Sequence, residues 1–305
     1  MHTANHYYGH AHIFSDYTRL GFPPMIWGYL QHGWNLHDGF AVGTSFVPGV
    51  PLFVWSDAVL RRGWSLGRRD YAVIGAAWAY LLRLVAEGRS GRLKDWAPPQ
   101  ARSGTIFYPF HGWEAQEVLG DHHRMLDQLE EVEDGPLTVC LYWTEYRDAT
   151  IRQVYEDRGC RVITHGMRGF QYRGTDPNFL WKQYQELRSH RRVVSNRMTS
   201  ALLYGASVGC EVGLYGDPML LTGEHSIYGG VERQRRNWPE FHQEFVPVDY
   251  ARAVAEDELG LRHVREPAEI LTLFRWSRPE WQLRKQKGWQ QDQPQAVARA
   301  VRGRR

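Results

Sequence analysis

The chain has 305 residues, 43% of them apolar and 23% charged, with a formal net charge of +3. That length suits two α/β lobes of about 120–150 residues each, and that composition excludes an extensively disordered or fibrous chain. From Arg275 onward nine basic residues face only two acidic ones, a surplus of seven, so the rest of the chain carries −4 and the basic pI belongs to a tail.

The opening segment, MHTANHYYGHAHIF, lacks a basic stretch followed by an apolar one, and no apolar run approaches the roughly 20 residues of a bilayer span. A cytoplasmic location is therefore expected. Six of the fourteen His fall in the first 37 residues. His6, His10 and His12 have some metal-ligand spacing but no committed fourth ligand, so no metal is expected. The segments at 25–31 and 51–56 read as strands, 57–66 as a helix, and 71–78 as either. A further strand is expected at 105–110 and a helix at 114–133, which places the boundary between lobes near Asp134. Three parts follow: an acceptor-type lobe at 1–133, a nucleotide-sugar-binding lobe at 134–250, and C-terminal helices with a basic tail at 251–305.

The second half has the clearer pattern. LTVCLYW at 137–143 is a buried-strand run, bounded by Asp134-Gly135-Pro136. Helical spacing follows to a stop at Gly159, then come a strand at 160–166, a helix at 179–190 and a short strand ending at Ser195-Asn196. A small-residue-rich helix at 198–209 leads to a last strand at 211–217. Alternation of this kind specifies a parallel sheet covered on both faces. Cys140, Cys160 and Cys210 are odd in number and each sits beside a strand, which reads as buried thiols in a reducing compartment. Thirteen Trp is a high share, to be divided between the core and surfaces that cover ligand rings.

Ligands in parallel α/β sheets bind beyond the carboxyl ends of strands. Those ends carry Tyr142–Glu145, Thr164-His165-Gly166, Ser195-Asn196-Arg197 and Tyr215-Gly216-Asp217. The run Ser195-Asn196-Arg197-Met198-Thr199-Ser200 sets hydroxyl, amide and guanidinium groups where a helix begins, and a helix N-terminus holds phosphate. Simple capping by Ser195 or Asn196 is the plainer alternative. No Gly-rich dinucleotide fingerprint, P-loop, His-Glu-x-x-His or nucleophile elbow occurs, which disfavours the corresponding enzymes. In the first half, Gln31-His32-Gly33-Trp34 ends a strand shortly before Asp38-Gly39, and Tyr108-Pro109-Phe110-His111-Gly112-Trp113 repeats the theme. His32 reads as a base, a phosphate contact or a structural residue.

These passages resemble two-lobed glycosyltransferases of the GT-B type. More narrowly, they are similar to bacterial capsule and teichoic-acid transferases, including glycerophosphotransferases and Kdo- or sialic-acid-transferring enzymes. Gln31–Trp34 resembles the His-Gly motif of the acceptor lobe, 105–111 the strand before the donor lobe, and 193–217 the donor-phosphate helix and the next strand. The resemblance implies two Rossmann-like lobes with parallel sheets facing a central cleft. It implies a nucleotide-sugar donor on the second lobe, a glycan or small-molecule acceptor on the first, and neither metal nor cofactor. It also implies His32 or Asp38 as the base, with His111 as a further candidate, and Ser195, Arg197, Thr199 and Ser200 as the phosphate site. His165, Asn196 and Asp217 complete the expected donor site. A nucleotide-sugar epimerase, a glycerophosphate transferase or a non-catalytic binder would use the same fold. The tail suggests weak contact with anionic membrane, and no nucleic-acid partner is expected.

Overall fold

The computed structural model describes residues 2–277 apart from 42, 94, 113–115, 170–173 and 225–228, so almost all of the basic tail and its expected membrane contact lie outside the described residues. A 3-10 segment at Thr3–Gly9 leads into helix α1 (His10–Tyr17). Then follow β1 (Tyr29–Leu30), β2 (Leu52–Val54), α2 (Asp57–Ser65), β3 (Tyr71–Val73) and α3 (Ala77–Ala86). The three strands pair in that order as a small parallel sheet. The stretch at 71–78, ambiguous in sequence, thus holds both a strand and the start of a helix.

The second unit contains β4 (Thr105–Tyr108), β5 (Val118–Leu119), α4 (His122–Val132), β6 (Leu137–Cys140), α5 (Trp143–Arg147) and α6 (Ala149–Glu156). It continues with β7 (Arg161–Ile163), α7 (Phe179–Ser189), β8 (Arg192–Ser195), α8 (Ser200–Ser207), β9 (Glu211–Leu214) and β10 (Leu220–Leu221). Helices α9 (Gly230–Asn237), α10 (Val248–Leu259) and α11 (Pro267–Leu273) close the described chain. Five strands form one parallel sheet in the order β7-β6-β4-β8-β9, and β5 pairs with β10 as an antiparallel ribbon. Parallel α/β sheets on either side of a cleft, the fold class expected from sequence, are therefore observed.

Sheet membership moves the boundary. Strand β4 is the centre of the five-stranded sheet, with β6 on one side and β8 on the other. The second unit thus begins before residue 105 and not near Asp134, because a strand's partners are not written in its own sequence. The single helix expected at 114–133 is also corrected. Residues 118–119 pair with β10, and α4 starts only after Asp121, whose carboxylate accepts from the His123 and Arg124 amides. Likewise the helix expected after residue 143 breaks at Asp148, which caps α6 through the Thr150 amide.

The period of two along the strands sorts the core. Phe107, Val139 and Val194 pack with Met125, Leu126, Leu129 and Tyr155 on one face. Ile106, Val193 and Val212 face α7 and α8, in a cluster that runs on into the first unit through Phe14, Trp55, Trp78 and Tyr80. Trp78 stacks on Tyr204 of α8 at 4.3 Å and donates to Ser207 Oγ at 2.9 Å. Trp55, Trp78, Trp181 and Trp276 are fully buried, so the core takes a large part of the Trp excess. Cys140, Cys160 and Cys210 are buried free thiols, as expected. No helix among the described residues is long and apolar enough to cross a membrane.

One charge pair sits inside the sheet. Arg192 Nε donates to both Glu133 carboxylate oxygens at 2.8 Å, and Thr105 Oγ1 and the Tyr215 hydroxyl donate to the same carboxylate at 2.6 and 2.7 Å. Both side chains are almost entirely buried. Removing one partner of such a pair leaves an uncompensated charge, so Glu133→Ala is expected to cost about 3–5 kcal/mol in urea unfolding. Glu232→Ala, at the exposed pair with Arg235, is expected to leave the midpoint where it is. Equal effects of the two substitutions would contradict the structural role given to Glu133.

Candidate functional site

In the five-stranded sheet the chain winds outward from β4 through β6 to β7, then returns to place β8 and β9 on the other side of β4. The winding direction reverses between β4 and β8, the place where open α/β sheets leave a crevice beyond their carboxyl ends. A cleft of about 750 Å³ opens there. Tyr108–His111 enter it after β4, Thr164 and His165 after β7, and Arg197–Ser200 after β8. The first unit contributes His32–Leu36, after β1, together with Tyr8 and His10.

The expected donor residues divide into two sets. Ser195 is buried and its hydroxyl accepts from the Arg197 amide at 3.4 Å. Asn196 accepts from the Phe110 amide and donates to the Asp217 carbonyl, both at 2.7 Å. Arg197 donates to the Pro218 and Met219 carbonyls and to both Glu224 oxygens, and its guanidinium lies 4.0 Å from the Phe110 ring centroid. Asp217 lies outside the cleft lining and accepts from the Met219 amide at 2.9 Å. These four residues fasten the turn after β8 to the turns after β4 and β9. Ser195 and Arg197, expected at the phosphate, and Asn196 and Asp217, expected elsewhere in the donor site, are therefore corrected to struts: three of them do not line the cleft, and Arg197, which does, has its guanidinium engaged within the fold.

Thr199 and Ser200 form the other set. Thr199 occupies the N-cap of α8, yet its side chain makes no cap bond. Its Oγ1 is buried and has no hydrogen-bond partner among the described residues. An N-cap Thr ordinarily accepts from an amide of the first turn. Among the described residues neither the hydroxyl nor the first-turn amides has a partner, at the positive end of a helix dipole. Ser200 Oγ accepts from the Trp34 amide at 2.9 Å, which ties the loop after β1 to this helix start. The capping alternative of the sequence reading thus fails: neither Ser195 nor Asn196 is the N-cap.

The remaining candidates separate by environment. Asp38 is buried and ion-paired with Arg68, its carboxylate also accepts from the Phe40 amide, and His37 Nδ1 lies 3.0 Å from it. It does not line the cleft, so its expected role as base is corrected to an anchor of the first unit. His32 does line the cleft, and burial with neighbouring His10, Arg168 and His2 pushes its imidazole down to about 3. His165 bonds the Tyr108 hydroxyl at 2.9 Å through Nε2, and burial brings it to about 3 as well. His111 is exposed on the cleft wall and stacks on Tyr142 at 4.5 Å. Its Nδ1 lies 2.6 Å from the Gly112 carbonyl, which can only accept, so the neutral ring presents Nε2 as a lone pair. Among the described residues, no group of three or more His, Cys, Asp or Glu side chains could hold a metal ion. Tyr8, His10, Gln183, Tyr204 and Gln234 also line the cleft and were not among the site residues expected from sequence. Of these, His10 alone had a signal, its membership of the N-terminal His cluster.

No family model matches the chain, and no curated protein matches it. Among solved structures it is similar to S. aureus MnaA with UDP (11% identity, TM-score 0.36, 71% of this chain and 54% of that one). It is also similar to the UDP-GlcNAc 2-epimerase of Neisseria meningitidis bound to UDP-GlcNAc (11%, 0.35, 74% and 59%). A third similarity is to the wall teichoic acid polymerase TagF (7%, 0.38, 86% and 68%). The chain spans little more than half the length of the first two. The likeness is one of architecture.

The buried imidazoles make stability depend on pH. His10, His32 and His165 are held at about 3, and His6 and His12 at about 4, with burial the first cause in each. Below about pH 6.5 the unfolded chain binds protons that the folded chain refuses, so stability is complete above that pH and falls as pH drops. Urea midpoints at pH 7, 6 and 5 are expected to decline, and the last step lies above most carboxylate titration. A midpoint constant across that range would mean that these rings are not buried as described.

Proposed function

We propose that this chain is a transferase that moves a sugar from a nucleotide-activated donor to an acceptor hydroxyl in this cleft. The observation that carries the reading is Thr199: a buried hydroxyl with no partner among the described residues, on a helix start, at the point where the sheet reverses its winding. A diphosphate bridging nucleoside and sugar supplies the acceptor oxygens that this hydroxyl and the first-turn amides lack. As the bond from the anomeric carbon to the phosphate oxygen breaks, charge develops on that oxygen, where fixed dipoles stabilise it most. The acceptor hydroxyl must lose its proton as its oxygen bonds the anomeric carbon. His111 suits that task better than His32, since its tautomer is fixed by Gly112 and it stands exposed in the cleft, whereas burial makes the His32 ring a weak base.

Isothermal titration with UDP, CDP, GDP and dTDP tests the donor half. At least one is expected to bind, and Thr199→Val is expected to weaken it by about 1.5–3 kcal/mol, a factor of roughly 10–150. No binding across the panel, or unchanged affinity in the variant, would return Thr199 to a structural role. With the matching sugar nucleotide, His111→Gln is expected to lower turnover by about 10²–10⁴ without weakening donor binding. If His32→Gln has that effect and His111→Gln has none, the base lies on the first unit after all.

A further inference from the structure

Strand β6 lies beside β4, so the start of α5 comes next to the turn that carries His111. Tyr142 is the N-cap of α5, and Glu145 stands in its first turn. A Glu at that place ordinarily serves its own helix, by its charge against the dipole or by reaching back to the N-cap amide. Glu145 reaches across to the neighbouring turn. Its Oε1 accepts from the Gly112 amide at 2.9 Å, and Thr144 Oγ1 donates to its Oε2 at 2.5 Å.

That bond bears on the tautomer of His111. The ring's Nδ1 must donate to the Gly112 carbonyl, and Tyr142 stacks on the ring at an interplanar angle of 25°. The carbonyl belongs to a glycine, whose own backbone would let it swing. Two neighbours hold Gly112 in place. Glu145 fixes its amide, and the Gln116 carbonyl is so close that a Cβ on Gly112 would meet it at 2.3 Å. Gln116 is in turn tied to the end of β10, its Nε2 donating to the Thr222 and Gly223 carbonyls at 2.7 and 3.1 Å.

We propose that Glu145 is a positioning residue for His111: through the Gly112 backbone it keeps the proton on Nδ1 and the lone pair on Nε2. Glu145 lies outside the cleft lining, so it acts through His111 and not on substrate. The order is that of a base oriented by a third group, with a glycine backbone standing between imidazole and carboxylate. When Nε2 takes the acceptor's proton, Nδ1–H keeps its bond to the same carbonyl, and no group has to reorganise. This inference rests on the glycosyl-transfer reading of the cleft.

Nitrogen-detected NMR on ¹⁵N-histidine-labelled protein at about pH 8, where imidazoles are ordinarily neutral, reads the tautomer directly. The His111 signals are those lost in His111→Gln. They are expected to show a protonated Nδ1 in the unaltered protein and a mixture of tautomers in Glu145→Ala. In Glu145→Gln, whose amide oxygen can still accept from Gly112, they are expected to stay as they were. With the matching sugar nucleotide, turnover is expected to fall about 10- to 100-fold in Glu145→Ala at unchanged donor affinity, and to recover in Glu145→Gln. In a His111→Gln background the Ala substitution is expected to cost nothing further, because the two residues act as one unit. A proton on Nε2 in the unaltered protein would overturn the inference without any variant. So would a Glu145→Ala protein that keeps the tautomer, a Gln variant that behaves like Ala, or an equal loss of turnover in both backgrounds. Titration with UDP, CDP, GDP and dTDP separates this inference from the proposed function. Binding of one of them, with the tautomer unmoved in Glu145→Ala, would overturn the inference alone; no binding across the panel would overturn the proposed function and the inference with it.

Discussion

Helix α8 has almost no free side, and the cleft is built around the one end it leaves open. Ala201, Leu202, Leu203, Tyr204 and Ala206 are buried, and Gly205 lies so close to β8 that a Cβ would meet Val193 at 2.4 Å. Trp78 stacks on Tyr204 from the first unit, and Trp34 binds Ser200 through its amide. The two α/β units therefore share one apolar core through this helix, and its first turn stays at a fixed place between them. A Cβ at position 205 would push α8 away from β8 and displace that turn.

The charges follow from the same arrangement. The buried arginines are committed to carboxylates: Arg192 to Glu133, Arg197 to Glu224, and the half-buried Arg62 to Glu258. Glu258 also accepts from Trp34 Nε1 at 2.7 Å, so the Arg62 pair steadies the loop that carries His32. Among the described lining residues, Arg197 and Glu224 are the charged side chains apart from histidines, and they neutralise each other. What these described residues offer a ligand is helix dipole, hydroxyls, backbone amides and imidazoles. These groups act at short range and keep their strength where water is excluded.

The sequence made the second unit legible because apolar runs such as LTVC and RVVS are buried on both faces, and their helices keep their spacing. It located the helix start at residues 195–200, but not which side chains would face the cleft. Arg197 and Thr199 are alike in sequence as phosphate candidates. Only the third dimension brings Glu224 and two carbonyls to the arginine and leaves the threonine without a partner among the described residues. The same holds for Asp38, which is drawn away by Arg68, thirty residues on. The sheet order was hidden for a similar reason: β4 pairs with a strand more than eighty residues later.

The claim that α8 receives the donor's phosphates is tested most directly by a crystal structure with the best-binding nucleoside diphosphate. A phosphate oxygen within hydrogen-bond distance of Thr199 Oγ1 and the first-turn amides of α8, with Arg197 still on Glu224, is the expected result. A diphosphate held elsewhere in the cleft, with Thr199 untouched, would contradict it.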